Sequence, residues 1–122
     1  MKDYNKDIGE MGENISENYL KNSGYKILDR NFKCKCGEID IIAVHKNYIC
    51  FIEVKTRYGI KFGTPSEAVN FSKQKKIYKT AQMYILRKNI VDWDFRFDVI
   101  EVIVNIYNDN FSINHIEDAF QS

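Results

Sequence analysis

Proline is almost missing from this chain: Pro65 is the only one in 122 residues, beside six glycines. That shortage excludes a collagen-like or Pro/Gly-rich linker composition. Long hydrophobic runs are missing too; none approaches the roughly 20 apolar residues that a membrane-spanning helix needs. The opening stretch, Met1-Lys2-Asp3-Tyr4-Asn5-Lys6-Asp7, lacks the apolar centre of a secretory signal, so the cytoplasm is the expected location. Cysteine is scarce and odd in number, at Cys34, Cys36 and Cys50. An odd count without a secretion signal argues against a disulfide framework. Cys34-Lys35-Cys36 has only His45 and His115 to complete a four-ligand zinc site, so two reduced thiols at a strand end are the simpler reading. An excess of one charge is also absent. Eighteen Lys and Arg stand against 17 Asp and Glu, a net charge of +1, which gives no broad non-specific footprint for nucleic acid.

What the chain does have is ordinary globular material, 44% hydrophobic and 29% charged, in a length that fits one domain over residues 1–122. Its charge is segregated. Asp3, Asp7, Glu10, Glu13 and Glu17 crowd the start. Lys73, Lys75, Lys76, Lys79, Arg87 and Lys88 lie together later, with no acid among them.

Periodicity predicts a first helix from about Lys6 to Ser23, with Ile8, Met11, Ile15 and Tyr19 on its apolar face and Gly24 closing it. Strands are predicted at Tyr25 to Phe32, Glu38 to Val44 and Tyr48 to Thr56, with a turn over Lys33 to Gly37 and a tight, hairpin-forming connection at His45-Lys46-Asn47. Thr56 to Gly63 reads as a loop. Thr64-Pro65-Ser66-Glu67 has the form of a capping box opening a short helix to about Asn70. Ser72 is the expected cap of a longer helix to about Lys88, with Ile77, Ala81, Tyr84 and Ile85 inward. Phe95 to Asn105 and a final short stretch, Phe111 to Ile116, are the last strands. Strands apolar on both faces need cover on both sides. The fold class expected is therefore α/β, a sandwich with a mixed central sheet.

Charges inside buried strands are costly unless paired or bound to a metal. Asp40 stands in Ile39-Asp40-Ile41-Ile42, and Glu53 and Lys55 stand in Phe51-Ile52-Glu53-Val54-Lys55. Alternation puts Glu38 and Asp40 on one face, and Glu53 and Lys55 on one face. A hairpin turning at Lys46-Asn47 pairs residue 44 with 49 and sets Asp40 opposite Glu53. Two facing carboxylates repel, and a hard divalent cation such as Mg²⁺ reverses the sign. Lys55, one pleat on, can hold a scissile phosphate or orient an attacking water. Glu13, at the border of the first helix's buried face, is a candidate further ligand or water-orienting base, while Glu10 and Glu17 are expected nearer solvent. The plain alternatives are a solvated helix face for Glu13 and a solvated face for the lysine run. Gln74 and Tyr78 repeat a spacing known in some nucleases, a weak signal.

The ordered set of Gly12-Glu13, Gly24-Tyr25-Lys26-Ile27-Leu28, Asn31-Phe32, Gly37-Glu38-Ile39-Asp40-Ile41-Ile42, Phe51-Ile52-Glu53-Val54-Lys55-Thr56-Arg57, Lys73-Gln74, Arg96-Phe97-Asp98-Val99 and His115-Ile116-Glu117-Asp118-Ala119-Phe120 resembles the YraN-like family over nearly the whole chain. That family is similar to PD-(D/E)XK nucleases, near archaeal Holliday-junction resolvases. The resemblance implies a restriction-endonuclease-like αβα sandwich and Mg²⁺-dependent cleavage of branched DNA, with Mn²⁺ as a substitute ion. It assigns catalytic roles to Glu13, Asp40, Glu53 and Lys55, with Asp40 and Glu53 on the metal. Ile39 stands where the motif's name has proline. A homodimer is implied as well. Arg57, Lys73 and Lys76 are the expected contacts to nucleic acid. The alternative from a different class is a non-catalytic binding or recruitment module on the same fold.

Overall fold

A computed structural model describes residues 4–59, 69–105, 107–108 and 110–121, with side chains from residue 8 onward. Within them the chain forms α1 (Tyr4–Asn22), β1 (Lys26–Cys34), β2 (Gly37–His45), β3 (Tyr48–Gly59), α2 (Phe71–Arg87), β4 (Asp94–Asn105) and β5 (Phe111–Phe120). The five strands lie in one sheet in chain order, antiparallel except for the parallel β3–β4 pair that α2 connects. The α/β expectation with a mixed sheet is met, and the arrangement is consistent with a restriction-endonuclease-like sandwich.

Each helix covers one face. Met11, Ile15, Tyr19 and Leu20 of α1 close over Ile41, Ala43, Cys50, Ile52, Ile100 and Val102. Ile77, Ala81 and Tyr84 of α2 close over Ile39, Ile42, Phe51 and Val99. The hydrophobic alternation of β2, β3 and β4 thus feeds two cores, one on either side of the sheet.

The local signals act largely as expected. Gly24 sits at φ +89°, with Tyr25 N–H donating to Leu20 O (2.9 Å) and Gly24 N–H to Lys21 O (3.2 Å), the paired bonds of a Schellman ending. Val44 pairs with Ile49 across the β2–β3 hairpin, the register read from the sequence.

Four boundaries differ. The turn before β2 is only Lys35-Cys36, because the ladder runs on to Cys34 and Gly37. β3 continues through Gly59, carried by parallel pairing with β4. α2 is capped by Asn70, not Ser72: Asn70 is extended and its Oδ1 accepts the Lys73 N–H at 2.9 Å. β5 runs to Phe120, past a shift in its pairing with β4 between Phe97 and Val99. The capping box at residues 64–67 and the short helix it was expected to open lie outside the described residues, apart from non-helical Val69 and Asn70.

Candidate metal and nucleic-acid site

The site begins where β2 and β3 part. Their ladder ends at Ile41–Ile52. On β2, Ile41 belongs to the α1-side core and Ile39 to the α2-side core, so strict alternation fails at Asp40. This departs from the expectation that Glu38 and Asp40 share a face by simple pleating. The Asp40 side chain takes a vacant ladder position, with Val54 N–H donating to its Oδ2 at 2.8 Å. Burial pushes the Asp40 carboxyl up to about 9, and its hydrogen bond and charge contact with Glu53 add to the rise. The Val54 amide opposes it, and Glu13 adds a smaller push upward. The two carboxylates of the hairpin do meet, and their mutual repulsion is written into the raised pKa.

Glu53 is buried, and its Oε2 lies 2.5 Å from Nζ of Lys73 in the first turn of α2. Burial pulls the Lys73 ammonium down, but Glu53, with Asp40 and Glu38 behind it, outweighs this and holds it above its ordinary value. Glu53, Glu38, Lys73, Lys76 and Asn70 line a pocket of about 420 Å³ on the α2 side. Glu38 itself is exposed and stands 3.8 Å from Lys33.

Glu13 opens instead into a cleft of about 480 Å³ on the α1 side, beside Gly9, Glu10 and Arg30. Arg30 Nη2 donates to Glu13 Oε1 at 3.1 Å, and Nη1 reaches Asn14 and Glu17. Glu17 is about as covered as Glu13, because both serve Arg30. Its side chain is still slightly the more exposed of the two, 22% against 17%, as expected. The helix can come this close because Gly12 faces Thr56: a Cβ at residue 12 would stand 2.8 Å from Thr56 Cβ.

On β3, Lys55 and Arg57 follow Glu53 on the α2-side face, and Lys55 is in register with Glu101 of β4. Glu101 is fully buried, and Arg57 Nε lies 3.7 Å from its Oε2. Glu101 escaped the sequence reading. Its signal was a lone charge in Val99-Ile100-Glu101-Val102-Ile103, the same anomaly that marks Asp40. Arg30, whose strand position says nothing of the helix above it, left no such mark.

Gln74 and Tyr78 have structural partners. Gln74 Nε2 donates to Val69 O (2.7 Å), and the Tyr78 hydroxyl donates to Gln121 O, its ring packed edge-on to Phe97. Among the described residues, no three His, Cys, Asp or Glu side chains are arranged to hold a metal ion. The hard donors present are the Asp40–Glu53 pair. Two carboxylates suit Mg²⁺, which keeps waters and substrate oxygens in its other positions. Among the described residues no helix is long and apolar enough to cross a membrane.

The chain resembles known proteins along almost its full length. A UPF0102 protein of Clostridium botulinum is 66% identical over 118 residues, 96% of either chain. UPF0102 proteins of Clostridium tetani and Clostridium kluyveri are 60% and 59% identical over 121 residues, 99% of either chain. The family model described as uncharacterised protein family UPF0102 matches residues 12–102, a span that holds Glu13, Asp40, Glu53, Lys55 and Glu101, and the chain belongs to that family.

Proposed function

We propose that this protein is a Mg²⁺-dependent DNA endonuclease that hydrolyses phosphodiester bonds in branched or otherwise structured DNA. The observation that carries the reading is the meeting of Asp40 with Glu53, which lines a pocket together with Lys73 and Lys76. Burying two like charges together without return destabilises a sheet. Asp40 and Glu53 would hold the ion, with Mn²⁺ able to replace Mg²⁺. When bound, the ion supplies Lewis-acid stabilisation of phosphoryl oxygens and a more acidic water.

The remaining work falls to the chain's own groups. Lys55, on the face that carries Glu53, positions the scissile phosphate or the attacking water. Lys73 and Lys76, on the rim, neutralise flanking phosphates, and Arg57 stands further along the same strand face. Glu13 acts from the other face, where Arg30 fixes it and its charge bears on Asp40. A homodimer would present two such sites to one branched substrate.

One observation favours a second reading, a recruitment module that binds DNA without cutting it. The Lys73–Glu53 ion pair gives Glu53 a counter-charge without any metal. Purified protein, incubated with labelled four-way-junction, flap and linear DNA in Mg²⁺, separates the two. Cleavage of the branched substrates that disappears in both Asp40→Ala and Lys55→Met supports the nuclease. Junction binding that persists in Asp40→Asn, with no cleavage in Mg²⁺ or Mn²⁺, supports the module.

A further inference from the structure

The first turn of α2 is cationic where a helix prefers anions. It contains no acidic residue, and Lys73 follows its Asn70 cap by three positions. Positive charge at a helix N-terminus opposes the macrodipole, so this lysine does not serve the helix. Lys73 serves Glu53 instead: the ammonium is 2.5 Å from the carboxylate. The two partners differ in freedom. The Glu53 side chain is 9% exposed and fixed in the sheet, whereas Lys73 is 53% exposed on a flexible stem. Its backbone is anchored through the Asn70 cap, so only the stem needs to move.

We propose that Lys73 is a built-in rival of the divalent cation: it occupies Glu53 until a metal arrives, and is then displaced toward a backbone phosphate of the substrate. The inference rests on the metal-site reading above. A dication on Glu53 and an ammonium in contact with the same oxygen repel strongly in a largely buried setting. The displaced ammonium remains over the pocket that Lys76 also lines, at the N-terminus of α2. That combination suits a phosphate. Metal loading and capture of the substrate backbone are thereby coupled: the lysine is spent on the protein in the metal-free form and released to DNA in the loaded form.

Isothermal titration of the full chain with Mn²⁺ and Mg²⁺ tests this without a substrate. Lys73→Met should bind either ion about tenfold more tightly than wild type, a change of about 1.4 kcal/mol. Lys73→Arg, which restores a cation, should return to the wild-type Kd. Lys76→Met, a loss of charge in the same pocket away from the Glu53 contact, should move the Kd by no more than about twofold. In ¹⁵N-lysine NMR the Lys73 ammonium signal, assigned by its loss in Lys73→Met, should shift on adding Mg²⁺. Lys73→Gln stands in if Lys73→Met does not fold by circular dichroism. Equal or weaker binding by folded Lys73→Met or Lys73→Gln, with wild type binding the ion, overturns the rivalry and leaves the metal site standing. No binding by wild type or by any variant overturns the metal site, and the rivalry with it.

Discussion

Asp40 takes the Val54 amide proton in place of a ladder bond and faces Glu53 across the opened hairpin. Its carboxyl, pushed up to about 9, holds a proton at neutral pH in the metal-free protein. An unfolded aspartate titrates near its ordinary value of 3.8, so the folded state binds the extra proton between that pH and about 9. Asp40 therefore lowers metal-free stability as pH rises through that window. Asparagine keeps an oxygen for Val54 N–H and offers an N–H to Glu53. Asp40→Asn should raise the metal-free stability by on the order of 1–2 kcal/mol at pH 8 while abolishing cleavage, as measured by urea denaturation and a junction-cleavage assay. An ion that binds Asp40 must expel that proton. The Mg²⁺ affinity of the wild type should accordingly strengthen from pH 6 to pH 9, and titration in buffers of different ionisation enthalpy should report proton release.

At the scale of elements, the approach of α1 to β3 at Gly12 and Thr56 sets how near Glu13 comes to Asp40. Gly12→Ala forces a Cβ into Thr56 and should destabilise the fold by about 1–3 kcal/mol. Thr56→Ala in the same chain should recover part of that loss, because it removes the nearest branch of the threonine. The readout is the denaturation midpoint of the single and double variants. The α2 N-terminus depends on Asn70, and Asn70→Ala should cost about 1 kcal/mol while loosening the stem from which Lys73 reaches Glu53.

At the scale of the whole molecule, a second buried charge cluster ties the last strand to the rest. Asp98, fully buried on β4, accepts from Arg96 Nε and Nη2 at 2.9 Å and from the backbone of Asp118 at 3.0 Å, and lies 2.8 Å from His115 Nε2. Tyr19 of α1 stands 2.9 Å from His115 Nδ1, and Arg96 Nη2 donates to the Tyr25 hydroxyl at 2.6 Å. One helix and two strands meet at this node, and it holds the β5 bulge. Burial pushes the Asp98 carboxyl up, but its bonds from His115, Arg96 and Asp118 outweigh that and keep it below its ordinary value. Its stabilisation is present above the unfolded pKa and is lost as pH falls through the folded one. Asp98→Ala should cost about 3–5 kcal/mol by chemical denaturation, because Arg96, His115 and the Asp118 amide lose their shared buried acceptor. The two aspartates act in opposite senses: Asp98 limits stability on the acid side and Asp40 on the alkaline side. Melting temperature without metal should therefore peak in mildly acidic solution, and Mg²⁺ should move the peak upward.

Local chemistry alone determined the class of the molecule. Gly24 ends the first helix because few other residues adopt its backbone angle, and the short hairpin at Lys46-Asn47 fixes which residues of β2 and β3 pair. Isolated charges in apolar strands mark Asp40 and Glu53 because burial without a partner is so unfavourable. The same argument applied to the fourth strand would have found Glu101. Only the tertiary structure decided that Asp40 leaves the pleat to replace a ladder bond. It alone placed Arg30 on Glu13, joined Asp98 to His115, and set Lys73 on Glu53. Those pairings link positions far apart in the chain, and periodicity, which reports only which face a side chain takes, carries no information on what the facing element will bring.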